Sequence, residues 1–174
     1  KKLRRKQKFK KPRRLPYEET ETKPLEIGQL LEAESLKSEE ELTQLLLPMI
    51  ESGKEPVNLD EFLSLNLLDL TEKVVQLNLE EEMPAAPLRE ELIDIVLESS
   101  LKSNTPVSLS GIIQVMEDGH GFILQQKEDY RLKSQSAFVP ENLVRKYGLK
   151  TGHAIRGMIR AKMEESTCPV LLRV

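Results

Sequence analysis

The spacing of apolar residues changes character once along this chain, near Ser108. Upstream, apolar positions recur three and four apart. Ile27, Leu30 and Leu31 form one such set, and Leu42, Leu45, Leu46 and Met49 form the next. Leu70, Val74 and Leu77 mark a third, and Leu88, Leu92, Ile95 and Val96 a fourth. Each set lines one face of an amphipathic helix. Ser38, three residues before Glu41, predicts a capping box at the start of the second helix. Pro48 is expected to kink or end that helix, since proline has no N–H to donate. Pro84 and Pro87 separate the third helix from the fourth, with Pro87 expected in the first turn of the fourth.

From Ser108 onward the pattern is that of strands. Residues 109–116, 121–126, 136–140, 153–162 and 167–174 are short runs rich in β-branched or aliphatic side chains. Residues 141–149 predict a helical turn closed by Gly148, which adopts the left-handed cap conformation without strain. Gly157 marks a bulge or bend in the fourth strand. Five short strands with a helical element between the third and fourth are the plan of an OB-type barrel. The fold class expected is therefore α+β, an N-terminal helical region followed by a five-stranded OB-fold β-barrel.

A repeat lies across the helical part. Residues 39–59 align without a gap on residues 89–109, at a fixed offset of fifty. Glu40, Glu41, Leu42, Leu47, Pro56, Val57 and Leu59 fall on identical residues at 90, 91, 92, 97, 106, 107 and 109. A duplicated unit and two unrelated acidic helical hairpins both account for this.

Charge is segregated. Residues 1–16 carry ten Lys or Arg and no acid, residues 17–100 carry 22 acids against five bases, and residues 101–174 carry 11 bases against seven acids. The basic tail lacks apolar periodicity and is expected to be disordered in isolation. It reads either as a sequence-blind phosphate binder or as a solubilising tail. The single cysteine, Cys168, rules out an internal disulfide and fits a reducing, cytoplasmic compartment. No apolar run reaches the roughly 18 residues that a membrane helix needs. Residue 1 is Lys, and the last residues resemble a strand cut off at its end, so the chain reads as a fragment of a longer protein.

The chemistry centres on Asp118-Gly119-His120-Gly121-Phe122. His120 and Phe122 are two apart and so share one face of a strand. With Phe138 they form either a platform on which bases stack or ordinary core. Gly119 and Gly121 would keep the backbone low enough for a base to approach. Arg145, Lys146, Lys150, Arg156, Arg160 and Lys162 form either a phosphate-tracking rim or a solvated basic surface. His120, His153 and Cys168 are metal-ligand types, but no ligand spacing links them and no metal is expected. The G-x-x-x-x-G-K-[ST] loop that cradles phosphates is absent, and no nucleophile–base arrangement can be argued. The chain itself is not expected to be an enzyme.

Residues 108–174 resemble the cold-shock-like RNA-binding domain of bacterial transcription termination factor Rho. The resemblance is carried by Asp118-Gly119-His120-Gly121-Phe122, Phe138-Val139, Arg145-Lys146-Tyr147-Gly148-Leu149 and Lys150-Thr151-Gly152-His153. Residues 67–102 are more weakly similar to the small helical subdomain that precedes that barrel in Rho. The resemblance implies the domain order: 1–23 a basic tail and acidic linker, 24–66 a helical insertion, 67–103 a Rho-N-like helical subdomain, and 104–174 the OB-fold domain. It implies primary capture of single-stranded, pyrimidine-rich RNA, with stacking at His120, Phe122 and Phe138 and phosphate contacts from Arg145, Lys146, Arg160 and Lys162. RNA polymerase or transcription factors are further implied partners. No cofactor is implied for these residues; ATP, Mg2+ and a hexamer enter only if an RNA-dependent ATPase domain follows.

The pattern departs from the family where cytosine edges would be read. Cys168 stands at a ring position, Ser166 and Thr167 at a neighbouring acid and base, Leu124 at an arginine, Ser136 at an acid, and His120 at a phenylalanine. The rival expectation is a protein-interaction or regulatory module on an OB scaffold, with the acidic segment folded onto the basic tail or the barrel. A third is nucleic-acid binding driven by residues 1–16 alone.

Overall fold

A computed structural model of the chain describes residues 36, 38–133, 135–161 and 168–174. The basic tail, the acidic linker, the helix expected around Ile27, Leu30 and Leu31, and Lys162, Ser166 and Thr167 lie outside the described residues.

Helix α1 spans Glu39–Glu51 and begins with the capping box expected of Ser38 and Glu41. The Glu41 N–H donates to Ser38 Oγ, and the Ser38 N–H donates to the Glu41 carboxylate, each at 3.2 Å. Pro48 lies inside this helix, which runs on to Glu51 instead of stopping. The missing N–H removes a single ladder bond, while the Pro48 carbonyl still accepts the Ser52 N–H at 3.2 Å. Leu42, Leu46 and Met49, all buried, hold the helix down on both sides of the proline.

A two-residue strand β1 (Val57–Asn58) and a short helix α2 (Leu59–Ser64) follow, and neither is announced by periodicity. Their signal is capping chemistry: the Asn58 side chain accepts the Asp60 N–H at 3.2 Å. Helix α3 (Leu67–Gln76) is capped by Asn66 and buries Leu70 and Val74; Leu77 lies just past its end. Helix α4 (Arg89–Lys102) buries Leu92, Ile93, Ile95, Val96 and Leu97. Its cap is Leu88, whose N–H donates to Glu91 at 2.7 Å. Pro87 therefore precedes the cap and is not part of the first turn.

The barrel is built from β2 (Val107–Val115), β3 (Gly121–Leu124), β4 (Ala137–Val139), β5 (Ala154–Arg160) and β6 (Val170–Arg173). Helix α5 (Glu141–Lys146) sits between β4 and β5, and Gly148 just beyond it has φ +57°. The strands pair in the order β2-β3-β4-β6-β5, and β2 pairs again with β5 to close the barrel. This is the α+β, OB-like architecture that the strand pattern predicts. Leu109, Ile113, Ile123, Ala137, Ile159 and Leu171 fill the interior with no exposure at all. Leu59, Leu70 and Leu92 of the helical part are equally inaccessible and belong to the same continuous apolar cluster.

The offset of fifty recurs in the backbone. β1 runs parallel to β2, with Val57 opposite Val107 and Asn58 opposite Ser108. Farther along, β3 pairs with β2 from Ile112 onward. Ser110 falls between these two partners and faces β5 only through Arg156 on its other side. Side chains complete its bonding. Both Asp60 oxygens accept the Ser110 N–H at 3.1 Å, and the Gln125 amide donates to the Ser110 carbonyl. A strand N–H buried without an acceptor is destabilising, and bonds to a charged acceptor contribute about 1.5–3 kcal/mol. Asp60→Ala is thus expected to lower stability by about 2 kcal/mol. Urea unfolding followed by circular dichroism reads this as an earlier midpoint with an unchanged slope; an unshifted midpoint would show that water replaces the carboxylate.

Arg89 joins the helical part to the barrel. Its guanidinium donates to the Leu63 and Leu65 carbonyls at the end of α2, and its Nε lies 3.8 Å from Glu128. The Gln135 amide adds a bond to the Glu90 carbonyl at 3.0 Å.

Candidate nucleic-acid interface

Strand register decides where the rings point. Phe122 is opposite Gln114 on β2 and Phe138 on β4, whereas Ile123 is opposite Ile113 and Ala137. The second set is the barrel interior. The Phe122 and Phe138 side chains therefore leave the opposite, outer face of the sheet, which they share with the exposed Gln114. His120 joins them, with ring centroids 5.5 Å from Phe122 and 5.2 Å from Phe138; the two phenylalanines are 5.8 Å apart at 69°. Edge-to-face and tilted contacts of this kind are favourable for aromatic rings.

The structure brings these three residues together and also covers them. His120 is 5% exposed and each phenylalanine 1%. As described, the cluster is a packed apolar patch on an outer face and not an open platform. His120 Nδ1 lies 2.8 Å from an Asp118 oxygen, which fixes the ring, and its buried Nε2 has no hydrogen-bond partner among the described residues. Cys168, Ser136 and Leu124 are buried as well. The Ser136 hydroxyl accepts the Lys133 N–H at 3.0 Å.

The two glycines serve the turn and the sheet. Gly119 has φ +94°, which a side chain would strain. A Cβ on Gly121 would lie 2.9 Å from the Gln114 carbonyl oxygen and 3.1 Å from Ile113. Glycine at 121 is what lets β3 sit against β2.

Of the basic residues, Arg145 is exposed and paired with Glu141 one turn earlier. Lys146 is paired with Glu39, at the start of α1, and this hydrogen bond raises the lysine pKa. Arg160 is half-buried and lines a small cavity of about 100 Å3 with Met49 and Leu101; burial lowers its pKa. Lys162 lies outside the described residues. Lys133, not anticipated, bridges Glu128 and Glu90, and the bond to Glu128 is the main cause of its raised pKa. His153 tightens a turn: its Nδ1 accepts the Lys150 N–H at 3.3 Å. Among the described residues no three His, Cys, Asp or Glu side chains gather in a way that would hold a metal ion.

A closed five-stranded barrel with a ring cluster on its outer face places this protein in the OB-fold class. Within that class the similarity is more specific. Residues 109–174 match the family described as Rho termination factor, RNA-binding domain. The chain is also similar to transcription termination factor Rho of Fibrobacter succinogenes, 27% identical over 105 residues, which cover 60% of this chain and 15% of that protein. Rho of Aquifex aeolicus is 28% identical over 86 residues, covering 49% of this chain and 20% of the relative. Rho of Pseudomonas fluorescens is 29% identical over 116 residues, covering 63% and 28%. This chain thus spans less than a third of the length of these relatives. The alignments are longer than the matched domain, so they run back into the helical region. No helix among the described residues is long and apolar enough to cross a membrane.

Proposed function

We propose that this chain captures single-stranded RNA as the N-terminal, primary-site region of a Rho-like transcription termination factor. The observation that carries this reading is the match of residues 109–174 to the Rho RNA-binding domain. The register supports it, because Phe122 and Phe138 issue from the outer face, where OB barrels stack bases. In this reading bases stack on Phe122 and Phe138, with His120 as a partial platform beside them. Arg145, Lys146, Arg160 and Lys162 hold phosphates, with Lys146 released from Glu39. Termination itself, an ATPase ring with ATP and Mg2+, and contacts with RNA polymerase would belong to a longer parent protein.

The test is fluorescence anisotropy of the whole chain with labelled C-rich, U-rich and A-rich single strands at near-physiological salt. Binding is expected to favour pyrimidines. Phe138→Leu, which keeps apolar volume and removes the ring, is expected to weaken it about tenfold, since one stacked base contributes roughly 1–3 kcal/mol. Binding to none of the strands would overturn RNA capture; binding that Phe138→Leu leaves unchanged would overturn stacking on this cluster.

A second reading, a protein-docking or regulatory module, is favoured by one contact, the Glu39–Lys146 pair that places acidic α1 on a basic residue of α5. Under it, RNA binding is absent, and docking fails when residues 25–100 are removed.

A further inference from the structure

A groove of about 560 Å3 opens on the outer face of β5, β2 and β3, walled on one side by α2 and on the other by the loop after β3. Its floor is apolar: Ile112, Leu124 and Ala154, with the backbone of Gly111. Leu124 is two residues beyond Phe122 and so about 7 Å along the same face from the ring cluster. Tyr130 stands at the rim, 48% exposed. Asp129 and Tyr130 both have positive φ, 52° and 54°, and this left-handed turn swings the tyrosine out of the barrel.

The charges around the groove are uneven. Lys127 and Arg156 line it, both are exposed, and neither takes part in an ion pair or side-chain hydrogen bond among the described residues. The lining acid is Asp60, and both of its oxygens are already committed to the Ser110 N–H. An apolar floor, an outward aromatic ring and two unpaired cations suit one kind of occupant: a flat heteroaromatic group attached to an anionic backbone.

We propose that this groove is a second nucleotide subsite for single-stranded RNA, with a base stacked on Tyr130 over Leu124 and Ile112 and its phosphates on Arg156 and Lys127. The assignment rests on the RNA-binding reading and extends the RNA path along β3 beyond the ring cluster. It also gives Leu124 a use: an arginine side chain there would fill the floor on which the base lies.

The experiment uses the whole chain and mixed-sequence single-stranded RNA carrying 4-thiouridine. Photocrosslinking followed by peptide mapping is expected to mark Tyr130 or its immediate neighbours. Tyr130→Ala should weaken binding about tenfold, and Tyr130→Phe should restore it. Arg156→Gln and Lys127→Gln should each lower the slope of log affinity against log salt by about one contact. Arg156→Gln lies on a strand, outside the tyrosine turn, so it keeps the test valid if the turn rearranges. RNA binding that is unaffected by all of these variants, with crosslinks elsewhere, overturns the subsite and leaves RNA capture standing. No RNA binding by the unaltered chain overturns both.

Discussion

Gly157→Ala is expected to destabilise the barrel strongly. A Cβ at this position would sit 2.2 Å from the Arg173 carbonyl oxygen and 2.5 Å from the Leu171 side chain. The first of these is backbone, so no rotamer change relieves it. β5 and β6 already carry a register irregularity between Met158 and Ile159, where the extra residue is absorbed. Relief therefore requires the two strands to separate, which uncovers Ile159 and Leu171. Overpacking of a tight site typically destabilises by 1–3 kcal/mol, and a backbone clash belongs at or above the upper end. The midpoint of thermal unfolding should fall by about 10 °C or more. Gly148→Ala is the control, because nothing lies within 4 Å of its would-be Cβ and only its φ of +57° opposes the change. A loss at 157 no larger than that at 148 would show that the two strands absorb the added Cβ without separating.

Phe122→Ala is expected to produce the second large loss, about 3–5 kcal/mol, the range for a buried aromatic ring cut back to a methyl group. The ring is 1% exposed and supports both His120 and Phe138. The variant should unfold at markedly lower urea concentration, and its RNA affinity is interpretable only where it remains folded. A small change in midpoint would mean that the cluster opens readily. That outcome would bring the proposed stacking surface closer to a ready state. It is why Phe138→Leu, and not an alanine, is the sharper probe of stacking.

The barrel was readable in the sequence because each strand is a short aliphatic run bounded by glycine or polar residues. The helices α1, α3 and α4 were readable because each has several apolar residues on one face. What escaped the pattern is non-local or very short. α2 has six residues, too few for a period to register, and only the Asn58 cap announces it. β1 exists because β2 offers it an edge fifty residues away. Pro48 was expected to kink or end α1; the helix does not end there, because packing of Leu46 and Met49 on either side outweighs one absent bond.

The candidate site was legible in part. The spacing of His120 and Phe122 placed both on one face, and the register puts Phe138 beside them. Burial was not legible, since an outer-face ring is covered only by what folds over it. The groove at Tyr130 had no signature in the sequence. Its walls come from α2 and the post-β3 loop, and its tyrosine is turned outward by two consecutive left-handed residues that no glycine advertises.

The pairing of β1 and Asp60 with β2 also sets an order in time. A ribosome adds about 5–20 residues per second, so Val57 and Asp60 emerge roughly 2.5–10 seconds before Val107 and Ser110 exist to receive them. Through that interval Leu59 and Phe62, destined to be buried, have no barrel to lie against. The nascent chain thus carries a waiting apolar segment until its strand arrives.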